Sequence, residues 1–253
     1  MSTPVRFCKR LLIDHLSMNY LAHGYRFTED PLFLAGTAVP DWLRVAAPRI
    51  RVRPGRVAAS IVEREDESCL CLCRGIMQHH ADDDAFHAGI VFQQLCEDLA
   101  QRFRRLMPDP HDHRPGLLGH IIIEMLLDNE LARRDPGMLP RYYQSLKSVD
   151  PVWVQAVVNS IVRRPVDRLA EFIELFREIK FLYDYAENDR LIMRLNQVLS
   201  RARLKALDST VFPVLNHARH LLEQGSDALM QSCEYSVTPA DEPRGGSAVR
   251  LPD

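Results

Sequence analysis

The sequence predicts an all-α fold, a single helical domain of about eight helices, and three observations predict it. Apolar residues at Leu169, Phe172, Ile173, Phe176, Ile179 and Leu182 recur close to the 3.6-residue period of a helix. Asp30-Pro31 and Asp150-Pro151 each pair an N-cap carboxylate with proline at the first helical position. No segment alternates apolar and polar residues as a half-buried strand does, and no Asn-Gly or Asp-Gly turn separates strand candidates.

Taken in order, residues 1–17 read as an N-terminal extension, with Met18 as an alternative start. Met18 to Gly24 is the first short apolar segment. A helix is expected from Pro31, broken by Gly36 and Pro40 near Asp41-Trp42-Leu43. Arg44 to Arg56, rich in arginine and proline, reads as an exposed loop, and Val57 to Glu67 as a helix candidate. Cys69 to Met107 holds two helices or one kinked helix. Asp109 to Pro115 is a loop fenced by prolines. Leu117 to Arg134 is a helix closed by Pro136-Gly137. Further helices are expected over Val152 to Val162, Val166 to Tyr185, Arg190 to Leu207 and Val211 to Leu222. The domain is expected to span residues 18–228. Residues 229–253, where Pro, Gly, Ser and charge dominate, read as a disordered tail.

A chain of 253 residues with 46% apolar content is ordinary for a globular domain. Its formal charge of −2 gives no electrostatic footprint for nucleic acid. No apolar run approaches the ~20 residues that span a bilayer. Asp14 and His15 interrupt the only apolar run behind the basic N-terminus, so no signal peptide is read, a cytoplasmic location is expected, and the six cysteines are expected to be reduced.

The polar residues that stand out lie at helical spacing. In Gly75 to His87, a helix would place His79, Asp83 and His87 at i, i+4 and i+8, drifting only ~40° per step. His80 and Asp84 form a second pair on the adjacent flank. His120, Glu124 and Asp128 repeat the spacing among Ile121, Ile122, Ile123, Met125, Leu126 and Leu127, where a buried carboxylate needs a partner or a cation. His23 follows an apolar run, and Asp41 lies between Pro40 and Trp42. Imidazole and carboxylate in such sets can hold a divalent cation. A solvated acidic turn and a hydrogen-bonded core histidine are the bland alternatives. Arg44, Arg49, Arg51, Arg53 and Arg56 concentrate positive charge and read either as a solvated loop or as a docking patch for an acidic partner or a phosphate.

In sequence order these stretches resemble a known family. Met18-Asn19-Tyr20-Leu21-Ala22-His23 is similar to the MNFLAH opening of acyl carrier protein phosphodiesterases. Gly36 to Trp42 resembles their G-N-L-L-x-D-F segment, and Gly75 to Asp83 their G-I-x-x-H-R-x-I-D. Glu124 to Asp128 resembles their D-x-x-x-D-H helix, and Leu199 to Leu204 an arginine segment of theirs. The resemblance covers roughly Met18 to Leu222. The chain departs from the pattern at His80, His87, Glu124 and Asn129, which keeps ligand chemistry but alters the set.

The resemblance implies a helical fold like the His-Asp metal-dependent phosphohydrolases, a Mn2+ or Mg2+ ion, and hydrolysis of the phosphodiester joining phosphopantetheine to the carrier protein. It further implies His79, Asp83 and Asp128 as metal ligands, with His23 and Asp41 completing the set. Beside the resemblance, our own reading of the residues expects Glu124 or neutral His80 to accept a proton from water, and His87 or His120 to protonate the leaving alkoxide. The five arginines would meet the acidic carrier. The rival expectations are a non-catalytic helical protein that binds such a carrier, and a hydrolase of small phosphoesters.

Overall fold

Asp30 caps the helix that positions most of the site: its carboxylate accepts from the Phe33 amide at 3.2 Å, and Pro31 occupies the first turn. The computed structural model describes residues 19–109, 112 and 114–234. Among them are eleven α-helices and no strand: α1 (Tyr20–Gly24), α2 (Pro31–Ala46), α3 (Pro54–Val62), α4 (Glu67–Ala88), α5 (Ile90–Leu106), α6 (Arg114–Arg134), α7 (Met138–Lys147), α8 (Pro151–Ile161), α9 (Leu169–Ile179), α10 (Asn188–Arg201) and α11 (Phe212–Glu234). Three 3-10 segments join them at Tyr25–Phe27, Phe181–Ala186 and Ser209–Val211. The all-α class expected from the sequence is the class found. The count of about eight helices is low, because short α1 and α7 carry little periodic signal.

The central element is α6. Its residues Leu117 through Asp128 are all buried, with α5, α11, α1 and α7 packed around it. A helix buried on every side shows no amphipathic stripe, and its polar members His120, Glu124 and Asp128 are therefore enclosed.

The expected break at Gly36 and Pro40 does not occur, and α2 runs through both residues. Pro40 removes one backbone donor, but Leu34 through Leu43 are all buried, and this packing outweighs one lost hydrogen bond. Gly36 marks a helix crossing. A Cβ there would lie 2.3 Å from the Leu72 carbonyl oxygen, and one on Gly75 of α4 would lie 2.1 Å from that of Phe33. The two backbones touch, which only glycine permits.

Other boundaries shift for local reasons. Arg44 ends up inside α2, and the last three residues of the expected Arg44 to Arg56 loop, from Pro54, open α3. The segment from Cys69 to Met107 is indeed two helices, parted at Gly89. The helix expected over Val166 to Tyr185 ends at Ile179, because Lys180 turns left-handed at φ 50° and a 3-10 segment follows. Helix α11 continues past the expected domain end at 228, with Leu229 and Met230 buried in the core. The extension 1–17, Met18 and residues 235–253 lie outside the described residues. Cys69, Cys71, Cys73 and Cys96 are free thiols, Cys69 and Cys73 buried as packing residues. Among the described residues no helix is long and apolar enough to cross a membrane.

Candidate metal centre

Helices α4 and α6 each carry one row of the expected polar residues, and the rows run antiparallel. His87, at the C-terminal end of the α4 row, meets Glu124 of α6 at 2.9 Å. Asp128, at the other end of the α6 row, accepts from the Ala22 amide of α1 at 2.8 Å. The two ends of the α4 row, His79 and His87, therefore enter two separate groups.

The first group joins three elements. His23 of α1, Asp41 of α2 and His79 of α4 each offer one ligand atom within 4.8 Å of the others. All three are buried. The His23 and His79 rings lie 4.1 Å apart. His79 spends Nδ1 on the Thr37 carbonyl oxygen at 2.8 Å, which fixes the ring, and its Nε2 has no hydrogen-bond partner. His23 Nδ1 faces Asp82 at 3.8 Å, and its Nε2 is likewise without a hydrogen bond. Neither oxygen of Asp41 receives a hydrogen bond, although Arg44 lies 3.2 Å from one of them as an ion pair. Two imidazoles and a carboxylate, buried and each with a ligand atom free of hydrogen bonds, fit a divalent cation.

The electrostatics agree. Burial pushes the Asp41 carboxyl up to about 7, against the pull of Arg44 and His23. Burial pushes Asp128 up to about 8, although the Leu21 and Ala22 amides oppose it. Burial and the neighbouring His23 hold His79 well below the ordinary imidazole value, so it is a neutral nitrogen donor at neutral pH. His23 goes the other way: burial opposes its charge, but Asp82, Asp41 and Asp83 together outweigh burial. A bound cation favours the ionised carboxylates and neutral imidazoles that these groups need as ligands.

The second group is His87, His120 and Glu124, whose ligand atoms also lie within 4.8 Å of one another. Both histidines approach the same Glu124 oxygen, at 2.9 and 3.0 Å, and the rings stack at 4.7 Å. His87 Nδ1 reaches Asp83 at 3.5 Å. Burial opposes charge on His87, but its hydrogen bonds to Asp83 and Glu124 win and hold its pKa far above the ordinary value. Glu124, though buried, is kept below the usual carboxylate range by His120 and His87. Glu124, expected as a proton acceptor, is engaged by both histidines through one oxygen.

The expected ligands Asp83 and Asp128 stand outside the first group. Asp83 faces His87 and lies 4.0 Å from Arg44, which bridges it to Asp41. His80 also turns away, bonding the Val52 carbonyl oxygen through Nε2 at 2.8 Å, and so is not placed to take a proton from water in that group. The arginines divide. Arg44 is largely covered, with a side chain 13% exposed, and belongs to the centre. Arg51 caps the Pro48 and Ile50 carbonyls, and Arg56 reaches the Ile161 carbonyl. Arg49 and Arg53 are exposed.

Asp82 escaped the sequence reading. It is 1% exposed, pairs with His23, and accepts from Gln78 at 2.7 Å and Arg26 at 3.5 Å. The signal was present at i+3 from His79, on the stripe that continues to Phe86, but the i+4 ladder drew attention to Asp83 instead.

Fold and site together define an all-helical protein with a buried imidazole–carboxylate group able to hold a metal ion. Comparison with protein-family models, curated proteins and solved structures finds no match to this chain.

Proposed function

We propose that the protein is a metal-dependent phosphodiester hydrolase, related in fold to the His-Asp phosphohydrolases and acting on the phosphopantetheine linkage of an acyl carrier protein. The observation that supports it is the meeting of His23, Asp41 and His79 from three helices, each buried and with a ligand atom that makes no hydrogen bond. The order of short motifs shared with acyl carrier protein phosphodiesterases supplies the substrate. A mixed nitrogen and oxygen donor set favours Mn2+ over Mg2+, which prefers oxygen ligands. Such an ion, when bound, polarises a phosphoryl oxygen and lowers the pKa of bound water.

The chain's own residues do the rest. Arg44, held between Asp41 and Asp83, is the cation placed to pair with a phosphoryl oxygen in a largely dry site. His87 carries a proton at neutral pH and is the donor to the leaving alkoxide. Glu124 and Asp83 hold that proton on His87 and fix its ring. His120, stacked on His87, keeps the ring plane.

Elemental analysis of protein purified without chelator is expected to find about one divalent ion per chain. Added Mn2+ is expected to support hydrolysis of bis(p-nitrophenyl) phosphate and release of phosphopantetheine from a holo carrier protein. A metal-free protein that binds the carrier without cleaving it would replace this reading with the non-catalytic one. Cleavage of the small diester alone would leave a small-molecule hydrolase.

The docking role falls to Arg49 and Arg53, the exposed pair between α2 and α3. Arg49→Ser with Arg53→Ser is expected to slow carrier association roughly tenfold at low salt and to flatten its salt dependence, measured by stopped-flow binding. Hydrolysis of the small diester is expected to be unchanged. Arg44→Gln is expected to depress both reactions.

A further inference from the structure

His87, His120 and Glu124 form a donor set of their own. His120 and Glu124 stand one turn apart on α6, on one face of the helix, and His87 comes from the end of α4. Nε2 of each histidine reaches the same Glu124 oxygen, Oε1, at 2.9 and 3.0 Å. That oxygen serves the two rings unequally. His87 makes a hydrogen bond to it, whereas Nε2 of His120 is buried and makes none. On its other side, Nδ1 of His87 faces Asp83 at 3.5 Å, the carboxylate–histidine pairing that orients imidazole ligands of zinc. The Phe92 ring lies 5.1 Å from the His87 ring and 5.0 Å from that of His120, an apolar wall beside both. The His87 side chain is 25% exposed, which gives the group an entry path from solvent.

We propose that this group is a second cation site, selective for Zn2+, with Nε2 of His87, Nε2 of His120 and a Glu124 oxygen as ligands and a water in the fourth position. Two imidazoles, one carboxylate and an open position are a donor set that tetrahedral zinc accepts. Ligands ~2.0–2.1 Å from such an ion lie about 3.3 Å from one another. The 2.9 and 3.0 Å found here fall a few tenths short, which a small turn of the partly exposed His87 ring supplies. A cation gives each of the three atoms a bond of its own, and so satisfies the His120 nitrogen that hydrogen bonding leaves out. Mn2+ stands at the weak end of the divalent series and competes less well than Zn2+ for nitrogen ligands. Arg44 separates the two groups, 3.2 Å from Asp41 and 4.0 Å from Asp83, so the two ions bind independently and not across a shared ligand. In the proposed hydrolase the ion occupies the ring that hands over the proton, so a filled second site inhibits. That consequence rests on the hydrolase reading, and the site itself does not.

The test is titration of the chelator-treated full chain with Zn2+ in competition with a chromophoric chelator. Asp41→Asn silences the first group and is expected to keep one Zn2+ per chain. Adding His120→Gln to that variant is expected to weaken Zn2+ by more than ~100-fold, and adding Asp83→Asn by roughly tenfold, since the carboxylate behind a ligating histidine is worth ~10–100-fold. Mn2+ is expected to bind the Asp41→Asn chain roughly 100-fold more weakly than Zn2+. Zn2+ uptake in Asp41→Asn that His120→Gln leaves unchanged overturns the proposal, because the ion then sits on the thiols or elsewhere. So does no uptake at all. Should the variants at buried positions misfold, His87→Gln, at a partly exposed position, decides alone. The wild type is expected to hold one Zn2+ more than His87→Gln whether or not the first group holds an ion, and equal stoichiometry overturns the proposal. Inhibition of diester hydrolysis by Zn2+, half complete at the measured binding constant, checks the consequence for catalysis. Full activity with the second site filled overturns that consequence.

Discussion

Asp41→Asn is expected to make the metal-free protein more stable while removing the capacity of the first group to hold a cation. Asp41 is buried among His23, His79 and Arg44, and burial lifts its pKa from the ordinary 3.8 to about 7. The sign follows from which state holds the proton more tightly. The folded state does, so stability falls as pH rises from the unfolded value near 4 through about 7, and the loss is complete above that. At about 1.4 kcal/mol per pH unit, the ionised side chain costs on the order of 4 kcal/mol at pH 8. An amide carries no charge to bury but must find hydrogen-bond partners, so the net gain is about 2–4 kcal/mol. For a chain of this size that is a rise in melting temperature of roughly 5–10 °C at pH 8, shrinking towards pH 5. Asp128, raised to about 8 by burial, makes the metal-free wild type lose stability between about pH 4 and 8, and His87, raised to about 10 with the help of Asp83 and Glu124, adds a loss between about 6.5 and 10. Cation affinity in the variant is expected to drop by more than ~100-fold, since even the outer partners of a metal ligand are worth ~10–100-fold. Opposite signs for stability and binding mark a ligand and not a packing residue. A variant with unchanged melting behaviour from pH 5 to 8 and undiminished Mn2+ uptake in calorimetry would refute the role.

Much of this arrangement was legible in the sequence, and what was not has physical causes. Asp30-Pro31 and Asp150-Pro151 announce α2 and α8 because capping is local chemistry, and both carboxylates do accept from amides of the first turn. The enclosure of Glu124 and Asp128 could be inferred because apolar neighbours surround them in sequence as well as in space. The passage of α2 through Gly36 and Pro40 could not, because it depends on α4 lying against that face. The same limit governed the site. Helical spacing shows which residues share a face, and His79, Asp83 and His87 do lie along one row. Spacing does not show that a second row runs antiparallel and draws the two ends of the first into different groups. Arg44 is the clearest case. Its sequence neighbours made it one of five loop arginines, whereas one more turn of helix α2 carries it into the centre beside Asp41 and Asp83.

The contact of α2 with α4 sets the distance between Asp41 and His79, so a single methyl group there is expected to act on folding and on the centre together. In Gly75→Ala, the new Cβ would sit 2.1 Å from the Phe33 carbonyl oxygen and 2.9 Å from the Gly36 Cα. In Gly36→Ala, it would sit 2.3 Å from the Leu72 carbonyl oxygen. The obstacle is backbone on both sides, so no side chain can swing aside, and the helices must separate. Overpacking of a tight core costs about 1–3 kcal/mol, and separation also strains the 2.8 Å bond from His79 to the Thr37 carbonyl, one residue from Gly36. A loss of at least ~3 kcal/mol, or roughly 6–12 °C in melting temperature, is expected for Gly75→Ala. Gly55→Ala and Gly116→Ala provide the control, because a Cβ at either meets nothing within 4 Å. Both lie in first helical turns, where alanine gains up to ~1 kcal/mol over glycine. The same chemical change is thus expected to destabilise at the crossing and to be neutral or stabilising elsewhere. Where Gly75→Ala still folds, Mn2+ binding is expected to weaken with it, because His79 is carried away from Asp41. Thermal denaturation of the four variants, followed by metal titration of those that fold, checks both halves. Equal stability of Gly75→Ala and Gly55→Ala would mean that the two backbones do not meet and that the spacing of the centre is set elsewhere.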